Sequence, residues 1–426
     1  MNYPSNQMYL MSGNDRHTRF WANGFGLAAN NYKIIIAGDL LSNHGIHALS
    51  CEIENEIVEN EISLLLIEVS SPIYDPFVIM ELKRKYGLMV VLLAIDDEFK
   101  FDWISSTYAT IADLVLTTDH VSVDRYRQSG INAHFFLHPI YIPPKETKQR
   151  QDDTKHGVSF VGRVDEGKPS RMAFVRFLAR NDIDVLYLSS SGKDDPSFLS
   201  REDMYSVFRT SAINLSFSGI TTYVRANNVL NDRSRGMKGR PFEIAATGGF
   251  CLSEYSISLA NCFEDGVDIV FFHSKEDLLE KIRYYLMNRD EAEKIAAAGS
   301  KKITKQFSCE AVATRLRELI EESQAYTGVD LYGEPHRLQV SVWFAHSFIE
   351  FTLPSTIALL FKGRLRSFLN DSLDLARFIK RLTASIGVLL TLQVILIVLY
   401  RLGRTMLALV KSQRFVARIP TRWNRS

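Results

Sequence analysis

Apolar and polar positions alternate in blocks along most of this chain. Short apolar runs at 8–12, 33–37, 63–69, 88–95, 114–117 and 133–137 are separated by stretches with helical spacing at 16–23, 46–59, 76–86 and 121–128. Short runs that are apolar throughout suit strands buried on both faces, as in a parallel sheet covered by helices. The series predicts a doubly wound α/β domain over residues 1–142. A charged, proline-led stretch at 143–156 reads as a linker. A second series follows over 157–325, with strands at 158–161, 185–188, 213–217, 250–253 and 268–272. Its helices are expected at 171–180, 201–210, 241–246, 275–287, 290–305 and 310–322, with Ser274 and Asp277 as a capping box. Two Rossmann-like domains joined by a linker predict a cleft between them, with the loops at the strand carboxyl ends turned inward.

The pattern changes over 335–426, where a basic, hydrophobic helical tail is expected. Residues 382–400 run without a charge between Lys380-Arg381 and Arg401. At 1.5 Å per residue they would reach roughly 28 Å, about one hydrocarbon core, so a membrane segment is expected. Residues 340–361 are also apolar but contain His346, Glu350 and Pro354, which suits an interfacial or re-entrant segment.

Charge sharpens this division. The net charge of +1 conceals 14 Lys/Arg against three acids from Arg337 onward, a tail of +11 on a body of −10. That split argues for an anionic membrane surface as partner of the tail and against nucleic acid. The four cysteines, Cys51, Cys251, Cys262 and Cys309, are scattered and lack zinc spacing. They read as reduced thiols, and the expected location is the cytoplasmic face of the inner membrane.

The most informative stretch for chemistry runs from Lys238 to Glu254 (KGRPFEIAATGGFCLSE). It reads as a basic loop, a short helix opened by Pro241, a glycine break and a buried strand. Lys238, Gly239 and Arg240 bring cations and an approachable backbone to a helix start, which suits a diphosphate. Glu243, one turn further in, could accept hydrogen bonds from ribose hydroxyls. The plainer alternative is a helix-capping loop with a stop at Gly248-Gly249. Gly24-Phe-Gly26 imitates a dinucleotide fingerprint but precedes a strand instead of following one. Asp182-Ile-Asp184 imitates a metal-binding pair but sits in a turn, and no metal site is expected.

The stretch from Arg240 to Gly249, then Phe263-Glu-Asp-Gly266-Val-Asp268, then Asp277-Leu-Leu-Glu-Lys281, resembles the C-terminal domain of GT-B glycosyltransferases of the group-1 type. Met204-Tyr-Ser-Val-Phe-Arg-Thr-Ser-Ala-Ile-Asn214 resembles their spore-maturation (CgeB-like) branch most. The resemblance is best over 200–322, weaker over the rest of the body and absent in the tail. It implies a metal-independent enzyme using a nucleotide-sugar as co-substrate, bound by the second domain, with no other cofactor. Glu243 matches the carboxylate on the donor ribose, and Arg240 a basic residue near the diphosphate. Arg163 and Lys168, in the segment VGRVDEGK, match diphosphate-binding positions; such cations would also stabilise the leaving diphosphate. One departure stands out. Related retaining enzymes carry another Glu eight positions before the ribose-binding one, and this chain has Arg235.

The first domain is implied to hold the acceptor, a glycan or lipid-linked glycan brought near by the tail. Polar residues past its strands include Asn14, Asp15, Asp39, His44, Glu68, Asp96, Asp97, Asp119 and His120. Asp96 and His44 are the candidates for taking an acceptor proton. Retention is expected by analogy of fold. The alternatives are a non-catalytic nucleotide-sugar sensor or scaffold, motivated by Arg235, and an epimerase or hydrolase on the same fold.

Overall fold

The computed structural model describes residues 4–12, 16–143, 154–162, 169–188, 199–219, 235–325 and 338–416. Two parallel sheets organise it. The first contains β1 (Asn6–Met11), β2 (Asn31–Ile36), β3 (Leu64–Glu68), β4 (Met89–Ala94), β5 (Leu114–Thr117) and β6 (Ala133–Phe135), in the order β2-β1-β3-β4-β5-β6. Successive side chains leave a strand on opposite faces. Accordingly Met8, Leu10, Leu65, Ile67, Val90 and Leu92 pack in one core, while Tyr9, Met11, Leu64, Leu66, Val91 and Leu93 pack in the other.

Helices α2 (Ala37–His44), α3 (Ile46–Glu59) and α4 (Pro76–Tyr86) contribute to the first of these cores, and α1 (Arg16–Gly26) to the second. Helix α4 shows why its bounds were legible. Asp75 accepts the Phe77 N–H at 2.8 Å, Pro76 occupies the first turn, and Gly87 ends the helix at φ 65°. After β4 the chain makes three short turns, α5 (Asp97–Lys100), a π-helical turn (Phe101–Ser105) and α6 (Ser106–Ala109). Neither these turns nor α2 was expected. Helix α7 (His120–Gln128), capped by Asp119 on the Ser122 N–H, leads to β6.

The second sheet contains β7 (His156–Val161), β8 (Val185–Leu188), β9 (Ser211–Ser216), β10 (Cys251–Glu254) and β11 (Val270–Phe272), in the order β8-β7-β9-β10-β11. Around it lie α8 (Pro169–Arg180), α9 (Arg201–Thr210), α10 (Arg240–Ala246), α11 (Ile257–Ala260), α12 (Lys275–Met287) and α13 (Arg289–Phe307). Ser274 caps α12 on the Asp277 N–H, while Asp277 accepts from the His273 N–H. Both sheets therefore share one winding. The chain's next helix, α14 (Cys309–Ala325), returns to the first domain, burying Val312, Leu316, Leu319 and Ile320 beside Tyr9 and Phe25.

The tail forms three helices, α15 (Val342–Phe361), α16 (Leu365–Ile386) and α17 (Val388–Val416). They pack on the first domain as a further layer. Phe344, Phe348, Phe378, Leu382, Val394 and Val398 join the core of Ile46, Leu49 and Phe77. The Phe348 and Phe378 rings lie 4.3 Å apart, and Phe378 meets Phe77 edge-on at 5.8 Å. Asp371, fully buried, accepts the N–H groups of Ile46 and His47 at 3.1 and 3.0 Å, capping α3 from the tail. Gly45, at φ 91°, leaves room for that carboxylate, which a Cβ there would strike. The uninterrupted segment expected at 382–400 is instead split by Gly387 at φ 87°, so its start ends α16 and the remainder opens α17. Among the described residues the one helix long and apolar enough to cross a membrane is Val342–Phe361, and 44% of its most apolar window is buried inside the protein.

Candidate active site

The two domains meet around a cavity of about 290 Å³ at the carboxyl ends of the strands. The first domain supplies Phe20, Trp21, Ile95, Asp96 and Thr118, and the second Arg201, Tyr205, Met237, Lys238, Gly239 and Glu243. Residues 137–141, which leave β6 towards the second domain, form the wall between them.

The basic side is built at the start of α10. Gly239 precedes the helix in an ordinary αR conformation (φ −68°), and a Cβ there would meet none of the described residues within 4 Å. An incoming ligand therefore has room at that backbone. Arg240 lies against Glu243, Nη1 to Oε2 at 2.6 Å, with its guanidinium 5.5 Å from the Phe208 ring. The pair is about four-fifths buried, with side chains 20% and 17% exposed, and partial desolvation strengthens its mutual orientation. Just upstream, Arg235 pairs with the buried Glu254 at 3.2 Å. Glu254 also accepts the N–H groups of Ser218 and Gly219 at 3.0 and 3.1 Å. Arg235 also forms an antiparallel bridge with Gly219, and its charge is matched by a carboxylate from β10.

The acidic side follows β4. Asp96 adopts a left-handed conformation (φ 60°) and pairs with Lys100 at 3.1 Å. Burial pushes its carboxyl up, but Lys100, Lys238 and His138 outweigh burial and hold it below the usual carboxylate range. It is ionised at neutral pH. Asp97 turns the other way, fully buried, accepting from Thr117 and Tyr126 at 2.8 Å each. Glu98 reaches across to the second domain and accepts the Met237 N–H. Its Oε2 is shut from solvent and has no hydrogen-bond partner among the described residues. Burial pushes Glu98 up to about 7, against the pull of Lys238 and of that amide.

Aromatic rings complete the cavity. Trp21 stacks on His138 at 3.9 Å, and Tyr141 on Tyr205 at 5.8 Å. The Arg201 guanidinium lies 5.3 Å from Tyr141 and 5.7 Å from Phe20. Flat apolar faces beside charged groups suit a ligand that is part ring and part anion.

The structure brings together Lys238, Gly239, Glu243 and Asp96 as cavity lining, with Arg240 held behind Glu243. Gly248 and Gly249 do not line it. They lie past the far end of α10, where Gly248 takes φ 78° and Gly249 packs against the Phe208 carbonyl, so they terminate the helix. His44 is exposed at the end of α2, close to the Lys362–Ser42 hydrogen bond to the tail, and does not line the cavity either. Arg163, Lys168, Asn14 and Asp15 lie outside the described residues. Trp21, His138, Tyr141, Arg201 and Tyr205 were not anticipated at the site, whereas Glu98 belongs to the acidic run Asp96-Asp97-Glu98 that the sequence offers beside it. Single aromatic or charged residues on helices and joining segments carry no local motif.

Residues 171–318 match the family model described as Glycosyl transferase-like. Over that stretch of the second domain the chain is similar to that family. Solved structures extend the likeness to both domains of the fold. HepE of Anabaena, in complex with UDP-glucose, matches with a TM-score of 0.50 at 11% identity, covering 74% of this chain and 99% of that one. Sucrose-phosphate synthase from Thermosynechococcus elongatus matches with a TM-score of 0.52 at 9% identity, covering 75% and 99%. The lipopolysaccharide outer core galactosyltransferase WaaB matches with a TM-score of 0.51 at 11% identity, covering 74% and 99%. No curated protein sequence is significantly similar. The fold is that of GT-B glycosyltransferases, and the family match over residues 171–318 supports a glycosyltransferase.

Proposed function

We propose that the protein transfers a sugar from a nucleoside-diphosphate sugar to an envelope or lipid-linked glycan, without a metal and with retention, at the cytoplasmic face of a membrane reached by the tail. The observation that carries this reading is the cavity in which Lys238, Gly239 and the Arg240–Glu243 pair of the transferase-like domain face Asp96 of the first domain. Glu243 binds the donor ribose, and Lys238 and Arg240 attract the diphosphate and stabilise it as it leaves. Arg163 and Lys168 add to that role on the strength of the resemblance. The Trp21–His138 and Tyr141–Tyr205 faces hold the flat or ring portions of the substrates, and Asp96 orients acceptor hydroxyls. The motif from Met204 to Asn214 makes the spore-maturation branch the nearest assignment. HepE, whose structure holds UDP-glucose, makes UDP the first nucleotide to test.

The test is calorimetric binding of UDP, GDP, TDP, ADP and CMP to the full chain, with Arg240→Ala and Glu243→Gln. A charged hydrogen bond is worth about 1.5–3 kcal/mol, so each variant is expected to weaken the selected nucleotide about 10- to 150-fold. Selective binding without transfer to any acceptor would favour a sensor, and donor turnover without acceptor an epimerase or hydrolase. Absence of binding to any nucleotide by the folded chain would end the donor-site reading. The anomeric form of the first product, read by NMR, tests retention.

A further inference from the structure

Among the described residues the tail helices leave many large apolar side chains uncovered. On α17, Thr391, Val394 and Val398 are buried against the protein, while Leu389, Leu392, Leu396 and Tyr400 are 79%, 50%, 65% and 66% exposed. On α16 the exposed leucines Leu365, Leu369 and Leu373 recur every four residues, one stripe of a helix whose other side buries Phe378 and Leu382. Helix α15 adds Trp343, Phe351 and Phe361. A soluble protein rarely leaves so many large apolar side chains of neighbouring helices exposed without an occupant.

Charge names the occupant. Arg364, Arg366, Arg377 and Lys380 are exposed on or beside α16, within a tail that carries +11 on a body of −10. Leucine stripes flanked by basic side chains fit the boundary between acyl chains and anionic headgroups. Trp343, stacked on Trp103 at 6.4 Å and 13°, has the amphipathic ring favoured at that depth.

Geometry excludes a simple crossing. From Val388 to Tyr400 the apolar part of α17 spans roughly 20 Å, short of a hydrocarbon core of about 30 Å. Helix α15 is long enough, but it buries Phe344, Ala345, Phe348, Ile349 and Leu359 in the protein, the first four in the core of the first domain, so lipid cannot surround it.

We propose that α15, α16 and α17 dock the protein in the plane of one anionic bilayer leaflet, without crossing it. This deepens the membrane part of the proposed function and rests on it. Docking would also set the cleft near the lipid surface. Ser341, at the start of α15, donates to the Asp102 carbonyl and to the Thr107 hydroxyl, and that segment directly follows Asp96–Glu98 of the cavity wall.

The test uses the full chain and vesicles of phosphatidylcholine, alone or mixed with phosphatidylglycerol. Flotation is expected to be stronger on the anionic vesicles and to fall at least tenfold in the double variant Leu389→Glu/Leu396→Glu, both sites being exposed. Equal flotation of variant and wild type would overturn the proposal. In the second arm, Ser426→Cys is labelled with a membrane-impermeant maleimide on sealed vesicles and compared with the exposed Cys51. Labelling of both thiols from one side is expected; labelling from opposite sides means a crossing and overturns it. A stable dimer in which Leu389 is protected, with no flotation, assigns the face to a second copy and also overturns it. Nucleotide calorimetry on the same samples separates these outcomes from failure of the transferase reading.

Discussion

The two domains share one winding, β2-β1-β3-β4-β5 in the first matching β8-β7-β9-β10-β11 in the second, yet their surroundings differ. In the first, the helices over one face of the sheet are themselves covered by the tail, which buries Phe344, Phe348 and Phe378. The second has no such added layer among the described residues. Its distinctive part is the approach to α10, where Lys238 and Gly239 line the cavity beside the Arg240–Glu243 pair. One scaffold thus carries an added packing layer in one copy and a basic cavity edge in the other. The difference resides in what is attached to the sheet, since the sheet order is common.

The comparison breaks most visibly at the tail junction. Phe378→Ala removes a fully buried ring from the seam between tail and first domain, with an expected loss of about 3–5 kcal/mol. Denaturant unfolding should show it in the first domain, while nucleotide binding by the second persists below the transition. A variant as stable as wild type would mean that the tail is not part of that core.

Glu98 sharpens the comparison at the seam between domains. Its pKa is raised to about 7 by burial, so the folded state holds the proton more tightly than the unfolded chain does. Stability from this group is full below the unfolded value near 4.5 and is lost as pH rises through about 7. Glu98→Gln keeps an acceptor for the Met237 N–H without the charge. It should match wild type near pH 5 and exceed it at pH 8 by about 2–3 kcal/mol, since each tenfold difference in proton affinity between folded and unfolded chain is worth about 1.4 kcal/mol. Melting curves at the two pH values that differ from wild type by the same amount would refute the assignment. At the small end, Arg315→Ala removes exposed pairs with Glu318 and Glu322 and should change stability by about 0.5 kcal/mol or less by thermal melting.

Legibility followed the range of the interaction. Helices α3, α4, α9 and α12 were readable end to end, the last three because caps such as Asp75, Ser200 and Ser274 act within one turn of the residues they satisfy. Strands β5 and β8 were equally clear from their apolar runs. On the basic side of the cavity, Lys238, Gly239, Arg240 and Glu243 are neighbours in sequence and were found together. Its aromatic side draws on Trp21, His138, Tyr141 and Tyr205, spread over nearly half the chain, and no local pattern links them.

By itself the sequence determined two α/β series, a basic loop opening a short helix and an apolar, basic tail, since period, capping and composition are local properties. Tertiary structure decided that Gly387 divides the tail's apolar run, that Asp371 caps α3 across more than three hundred residues, and that Glu98 meets the Met237 amide. Those outcomes depend on which distant surfaces close on one another and on what burial then does to a glycine turn or a carboxylate. Such energies exist only once the chain has folded.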